Sequence, residues 1–209
     1  MKIAVIAGEI EKEELLAQGV KANIELQWVN SPEKVSSDTD CCIDLLFNDD
    51  GSRIQLLSSL DTPLIIVNAV TITSDFLPDN FIRINGWATF LKRNTIEACC
   101  TLESMKAKTE EVFACFNKKT SWTADKPGFV AARIISCIIN EAYLALGENV
   151  STKAEIDTAM KLGTNYPYGP FEWSSKIGLN HVNQLLKAMA EENERYKPAE
   201  KLTKEVLAL

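Results

Sequence analysis

Along the first half of the chain, apolar residues come in short runs separated by polar turns, and after residue 125 they recur every three or four positions. Residues 2–7, 24–29, 42–47, 63–68 and 81–84 read as strands, with helical stretches at 9–17 and 52–60 between some of them. Strands that alternate with helices predict a mostly parallel sheet with crossover helices. Residues 95–100 add a further strand, and between 102 and 117 Met105, Val112, Phe113 and Phe116 share one face of a helix. Asn85-Gly86, between the apolar segments 81–84 and 87–90, reads as a two-residue hairpin turn, because both residues tolerate positive φ.

The second half reads as helical. Pro127 stands where an N1 proline opens a helix, and Val130, Ile134, Ile135, Ile138, Ile139 and Tyr143 carry it to Gly147. That helix is apolar round most of its circumference. A small helical domain cannot cover it alone, so cover is expected from the first domain and from a second copy of the chain. Thr152 and Glu155 form a capping box for a helix that stops at Gly163, and Asn165-Tyr166-Pro167-Tyr168-Gly169-Pro170 breaks the chain. Val182, Leu185, Leu186 and Met189 mark another amphipathic helix, and Pro198 opens a last short one.

With 209 residues, 46% of them hydrophobic, the chain is long enough to build a sizeable core. Its 22 Lys+Arg against 29 Asp+Glu give a net charge of −7, with no basic run. That balance argues against nucleic acid and anionic membrane as partners, since both demand neutralised phosphate. A small molecule or another protein is expected instead. No apolar run approaches the roughly 20 residues of a membrane helix, and the opening run is too short for a signal peptide, so a cytoplasmic location is expected. Six cysteines without a CxxC, and His181 as the single histidine, read as buried free thiols and no metal site.

Lys126-Pro127-Gly128-Phe129-Val130 leads into Asn140-Glu141-Ala142, then Glu155-Ile156-Asp157, Ala159-Met160-Lys161-Leu162-Gly163, Tyr166-Pro167-Tyr168-Gly169-Pro170-Phe171-Glu172 and Ile177-Gly178-Leu179. In that order these motifs resemble the C-terminal domain of the 3-hydroxyacyl-CoA dehydrogenase family. Pro78 to Cys99 resembles the end of the family's nucleotide-binding domain, and residues 1–77 match it in pattern. The resemblance implies an α/β Rossmann-like N-terminal domain over 1–124, shortened and with a mostly parallel sheet, and an all-α C-terminal dimerisation domain over 125–209. It further implies a homodimer through the C-terminal helices. The family activity it implies is NAD-dependent interconversion of (S)-3-hydroxyacyl-CoA and 3-oxoacyl-CoA.

That reaction needs a base for the hydroxyl proton as hydride leaves C3, and the family uses a His held by a Glu twelve residues later. By resemblance Asn85 stands at the His position, Glu97 at the Glu position, and Ala132 at the position of an Asn that contacts the reacting region. An amide cannot take up a proton near neutral pH. Thr71, with Thr73, lies near where the family carries hydroxyl residues close to substrate, and Thr71 is the substrate-binding candidate. A dinucleotide loop wants GxGxxG after the first strand, whereas this chain has Ala7-Gly8-Glu9-Ile10-Glu11-Lys12. Gly8 is the one remnant, beside two carboxylates where phosphates would sit. Gln27-Trp28-Val29-Asn30 replaces the ribose-binding acid, and residues 30–40 are too few for the helical arm that helps hold CoA in the family.

Two functions are open. One is a dimeric binding or interaction scaffold that has lost the dehydrogenase activity, holds no cofactor, and takes an acyl-CoA-type ligand or a family relative as partner. The other is an active or altered oxidoreductase of fatty-acid metabolism, using NAD, with Glu97 as base alone or with Thr71.

Overall fold

In the computed structural model, which describes residues 1–209, the apolar runs of the first half hydrogen-bond into one seven-stranded sheet. Its strands are β1 (Lys2–Ile6), β2 (Glu25–Val29), β3 (Cys41–Asp44), β4 (Ile65–Val67), β5 (Phe81–Ile84), β6 (Thr95–Cys100) and β7 (Lys119–Trp122). They lie in the order β2-β1-β3-β4-β5-β6-β7. Every neighbouring pair is parallel except β5 with β6. Helices α1 (Glu9–Leu16), α2 (Gly51–Ser58) and α3 (Lys106–Cys115) supply the crossovers that parallel strands require. Period-two alternation sends Ile3, Val5, Ile43, Ile66, Ile82 and Ile84 to one face. Ile6, Cys42, Ile65, Val67 and Phe81 pack on the other.

Two features differ from the sequence pattern. β7, Lys-Thr-Ser-Trp, is an edge strand with alternate residues exposed, so it carries no apolar run to announce it. Asn85-Gly86 is not a two-residue hairpin: β5 pairs with β6, residues 87–90 form a turn, and neither Asn85 nor Gly86 has positive φ. Gly86 is glycine for space, because a Cβ there would fall 2.9 Å from Cγ of Asn68. The Asn68 side chain accepts from the Gly86 N–H (2.9 Å) and donates to the Leu45 carbonyl (3.2 Å), tying the ends of three strands together.

The segment joining β5 to β6 is clamped from two sides. Both carboxylate oxygens of Glu14 on α1 accept from the Thr89 N–H, at 2.6 and 2.8 Å. From the far side, buried Lys118 donates its Nζ to the carbonyls of Leu91 (2.6 Å) and Arg93 (2.7 Å). Burial pulls the Lys118 ammonium down to about 8, against the opposing pull of Glu14.

The second compact unit spans Val130–Leu209, after a first of Met1–Phe129. It holds α4 (Ala131–Gly147), α5 (Lys153–Thr164), α6 (Pro170–Ile177), α7 (Leu179–Glu192) and α8 (Glu200–Val206). α4 opens four residues after Pro127, because Gly128 (φ 86) and Phe129 (φ 48) turn the chain out of the helical region. Residues 125–129 fall with the sheet and not with the helices. Gly128 donates its N–H to the Val70 carbonyl at 2.7 Å, which accounts for that placement.

Inside the second unit the Thr152/Glu155 capping box is formed, and hydrogen bonds from the Ser151 hydroxyl and then from Thr152 hold the Glu155 carboxyl down at about 2. Asp157, buried on α5, accepts the Phe171 N–H (2.8 Å) and the Glu172 N–H (3.2 Å) and so caps α6. Gly169 permits that approach, since a Cβ would lie 2.5 Å from the Asp157 Cα. Asn140 on α4 bonds the Lys197 carbonyl (3.0 Å) and the Ala199 N–H (2.7 Å), which docks the start of α8. Aromatic edges finish the packing, Tyr143 on Phe171 and Tyr168 on Trp173, each 5.0 Å between centroids. No helix is long and apolar enough to cross a membrane.

Because its folded pKa is depressed, Lys118 binds more protons unfolded than folded between about pH 8 and its ordinary value of 10.5. Its contribution to stability therefore rises as pH rises through that window. Lys118→Met leaves two carbonyls without a donor and is expected to be destabilised by about 2 kcal/mol. In urea melts the gap to the unaltered protein should widen from pH 7.5 to pH 10, and a gap that narrows contradicts the buried cation.

Candidate functional site

The antiparallel register of β5 and β6 fixes the site. Arg83 stands opposite Cys99, and the Asn85 N–H donates to the Glu97 carbonyl at 3.0 Å, so alternation puts Arg83, Asn85, Glu97 and Cys99 on one face. Asn85 is 1% exposed, and its Nδ2 donates to Glu97 Oε2 at 2.9 Å. A carboxylate only accepts, so this bond fixes which way the amide points. The amide oxygen faces the Trp87 N–H at 3.4 Å. Glu97 is half-buried at the end of this pair.

Asn85 and Glu97 are therefore brought together as the resemblance implied, but with an amide where the base would be. Neither end of that amide titrates near neutral pH. Thr71 lies half-buried in the loop after β4, and the Thr73 hydroxyl sits 3.5 Å from Asp75 Oδ2. Ala132 is fully buried on α4, in the other unit, and offers a methyl group.

Arg83 was not signalled as a site residue, though a charge in the middle of Phe-Ile-Arg-Ile marks a strand position that needs a partner. Its side chain is fully buried. Nε donates to the Ala69 carbonyl at 3.1 Å, Nη1 pairs with Asp125, the guanidinium lies 4.9 Å from the Phe129 ring centroid, and Nη2 finds no acceptor. Burial pulls the Arg83 pKa down, Asp125 opposing it. Asp125 also accepts the Ser74 N–H at 2.9 Å. Burial pushes the neighbouring Cys99 thiol up, away from reactivity.

After β1, Gly8 caps α1, and its N–H is already donated to Glu11 Oε2 at 3.1 Å. Glu9 and Glu11 occupy the first turn. A pyrophosphate needs free N–H groups and no side chains at that helix start. Here the donor is occupied and two carboxylates face the anion, so the residues do not fit a dinucleotide's phosphates. Beside them, a cleft of about 330 Å³ at the C-terminal ends of β1 and β2 is lined by Ala7, Glu9, Lys12, Trp28, Val29, Asn30 and Lys34. His181 lies far along the chain on α7, its Nδ1 3.0 Å from the Ile177 carbonyl, and no three His, Cys, Asp or Glu side chains converge.

Residues 128–209 match the family described as "3-hydroxyacyl-CoA dehydrogenase, C-terminal domain". The chain belongs to the 3-hydroxyacyl-CoA dehydrogenase family. It is 42% identical over 86 residues to a 3-hydroxyadipyl-CoA dehydrogenase of Escherichia coli, covering 40% of this chain and 18% of that protein. It is 30% identical over 153 residues to a 3-hydroxybutyryl-CoA dehydrogenase of Bradyrhizobium diazoefficiens, covering 71% of this chain and 52% of that protein. The chain thus spans about half the length of one relative and less than a fifth of the other. Its fold matches the crystal structure of the (S)-3-hydroxybutyryl-CoA dehydrogenase of Ralstonia eutropha with a TM-score of 0.78, over 99% of this chain and 93% of that one, at 20% identity. The family is NAD-dependent.

The Arg83–Asp125 pair is testable by stability. Asp125→Ala strands a buried guanidinium and is expected to cost about 3 kcal/mol in urea unfolding, at the low end for a broken buried pair because the Asp125 side chain is 33% exposed. Arg83→Met together with Asp125→Ala should recover more than half of that loss. A double variant no more stable than Asp125→Ala would mean that the pair is not what anchors residues 123–129.

Proposed function

We propose that this chain is a member of its family that does not carry out the hydride transfer, and that it acts as a dimeric scaffold binding an acyl-CoA-type thioester. The observation that carries this reading is the Asn85 amide donating to Glu97 at 2.9 Å. A proton leaving a substrate hydroxyl has no acceptor at that atom. Glu97 keeps its place by accepting this hydrogen bond, so the Asn85 amide has become a hydrogen-bonding ledge that can orient a carbonyl or hydroxyl but not deprotonate it. The filled start of α1 supports the same reading, because Glu9 and Glu11 stand against the phosphates of NAD.

Dimerisation is supported by α4, where Val130, Ile134 and Leu144 remain exposed on a helix of otherwise apolar character. A second copy would cover that stripe by an isologous contact.

NADH oxidation with acetoacetyl-CoA is expected to be absent in the unaltered protein and in Asn85→His, while acetoacetyl-CoA alone raises the melting temperature. At a hundred times its dissociation constant the ligand adds about 2.7 kcal/mol to folding stability. Turnover by Asn85→His would mean that only the base is missing and NAD binds. Turnover by the unaltered protein would return the oxidoreductase reading, with Glu97 as base. Light scattering on a sizing column should give a dimer at micromolar concentration, and Ile134→Glu should give a monomer. A monomer before substitution removes the dimeric part of the proposal.

A further inference from the structure

The Asn85 amide can hold a ligand only if something moves, because the residue is 1% exposed and both ends of the amide are engaged, Nδ2 with Glu97 and Oδ1 with the Trp87 N–H. Trp87 opens the connection that runs through Arg93 to β6, and that connection is closed by unfavourable means. Thr89 has φ 74, a left-handed backbone that a β-branched side chain rarely adopts. Its hydroxyl is buried with no hydrogen-bond partner. The acceptor for its N–H is the Glu14 carboxylate, which also accepts from the backbone of Lys92. The donor to the Leu91 and Arg93 carbonyls is the Lys118 ammonium, at 3% exposure. Gln18 adds a tie without charge, its Nε2 donating to the Lys92 carbonyl at 2.9 Å. Backbone strain, an orphaned hydroxyl and two charges drawn out of water thus meet in one short connection.

We propose that residues 87–93 are a lid over the Asn85–Glu97 pair, closed under strain and opening by local unfolding to admit a ligand to the Asn85 amide. The identity of that ligand rests on the thioester reading above, whereas the lid does not. Segments that open for ligands come from the less stable parts of a fold, and strain stored in the closed form lowers the free energy of opening. Once Trp87 moves away, the amide oxygen is released to accept from a ligand hydroxyl while Nδ2 stays with Glu97. Burial raises the Glu14 carboxyl above its ordinary value, opposed by the Thr89 N–H and by Lys92 and assisted by Glu11 on the same helix. Burial pulls Lys118 down to about 8, opposed by Glu14, the charge that faces it. Opening returns both groups to water. The closed lid therefore takes up a proton at Glu14 more readily than the open one and gives up a proton at Lys118 more readily. Closing is weakest near neutral pH, where both groups are charged, and strengthens as pH moves either way.

Amide hydrogen exchange of residues 87–93, referred at each pH to the same segment as a free peptide, reads the opening. Protection should be least near pH 7 and rise as pH falls toward 4.5. Between pH 7 and pH 9 it should rise about tenfold, the factor that follows from a Lys118 value of about 8 when closed and 10.5 when open. Glu14→Gln should abolish the acid limb and keep the alkaline one. Thr89→Gly adopts φ 74 without strain and removes the orphaned hydroxyl, so protection at pH 7 should rise about tenfold. Because only the open form binds, acetoacetyl-CoA should bind that variant weaker by the same factor. Protection without this pH dependence, or unchanged in Thr89→Gly, overturns the lid. Raised protection with undiminished affinity for the thioester overturns its role in admitting the ligand. Absence of acetoacetyl-CoA binding in every variant, with the exchange pattern as expected, removes the thioester reading and leaves the lid in place.

Discussion

The pairing of β5 with β6 is the constraint on which the site depends. It is the one antiparallel contact in a sheet otherwise parallel. Because alternate residues point to opposite faces, that register leaves no choice about which side chains meet. Ile82 and Ile84 go to one core, and Arg83 and Asn85 go to the other face, opposite Cys99 and beside Glu97. A slip of one residue would set Asn85 among the isoleucines and move Ile84 to the face that holds Arg83. The clamps on the connecting segment, Glu14 to Thr89 and Lys118 to Leu91 and Arg93, hold that register from outside the strands. Both clamps bring a charged group out of water to satisfy backbone, which is why a loop that could have been free is buried over residues 85–87 and 89–91.

The same face carries an uncommon burden for a strand interior. A guanidinium at 0% exposure is tolerated only with a counter-charge, and Asp125 supplies it from the segment that ends the sheet-bearing unit. Phe129 and the Gly128 N–H add to the same attachment. Residues 125–129 are consequently part of the first unit, although their motif reads as the beginning of the helical half. A boundary drawn from where the apolar period changes falls five residues early, because the ion pair with Arg83 lies forty-two positions away along the chain. No local pattern records it.

Periodicity made six of the seven strands legible, and the capping box at Thr152 with Glu155 marked the start of α5. Those features depend on residues a few positions apart. What escaped depends on distant partners. Asn85-Gly86 has the composition of a tight turn, but its glycine answers to the side chain of Asn68 across the strand ends, not to a need for positive φ. Lys119 to Trp122 becomes a strand because β6 offers it an edge, with little apolar alternation of its own. Pro127 has the residue type of a helix start, but the positive φ angles of Gly128 and Phe129 delay α4. The pairing of Asn85 with Glu97 was legible only through resemblance, since nothing in a spacing of twelve residues forces contact until the hairpin register is known.

The start of α1 and the end of β2 lie beside one cleft and differ in charge. At the start of α1 the helix dipole would attract an anion, and Glu11 satisfies it from within the chain by accepting the Gly8 N–H. After the end of β2, Asn30 and Lys34 line that cleft, with Lys12 reaching it from α1. Loss of function by drift would remove favourable contacts without building others. Here the start of α1 carries an internal anion, Glu11, that closes its own hydrogen bonding. On the β5–β6 face it is an amide, Asn85, that satisfies Glu97 by hydrogen bonding. Each of these arrangements keeps the local hydrogen bonding closed, and so sets what the surface can offer a ligand.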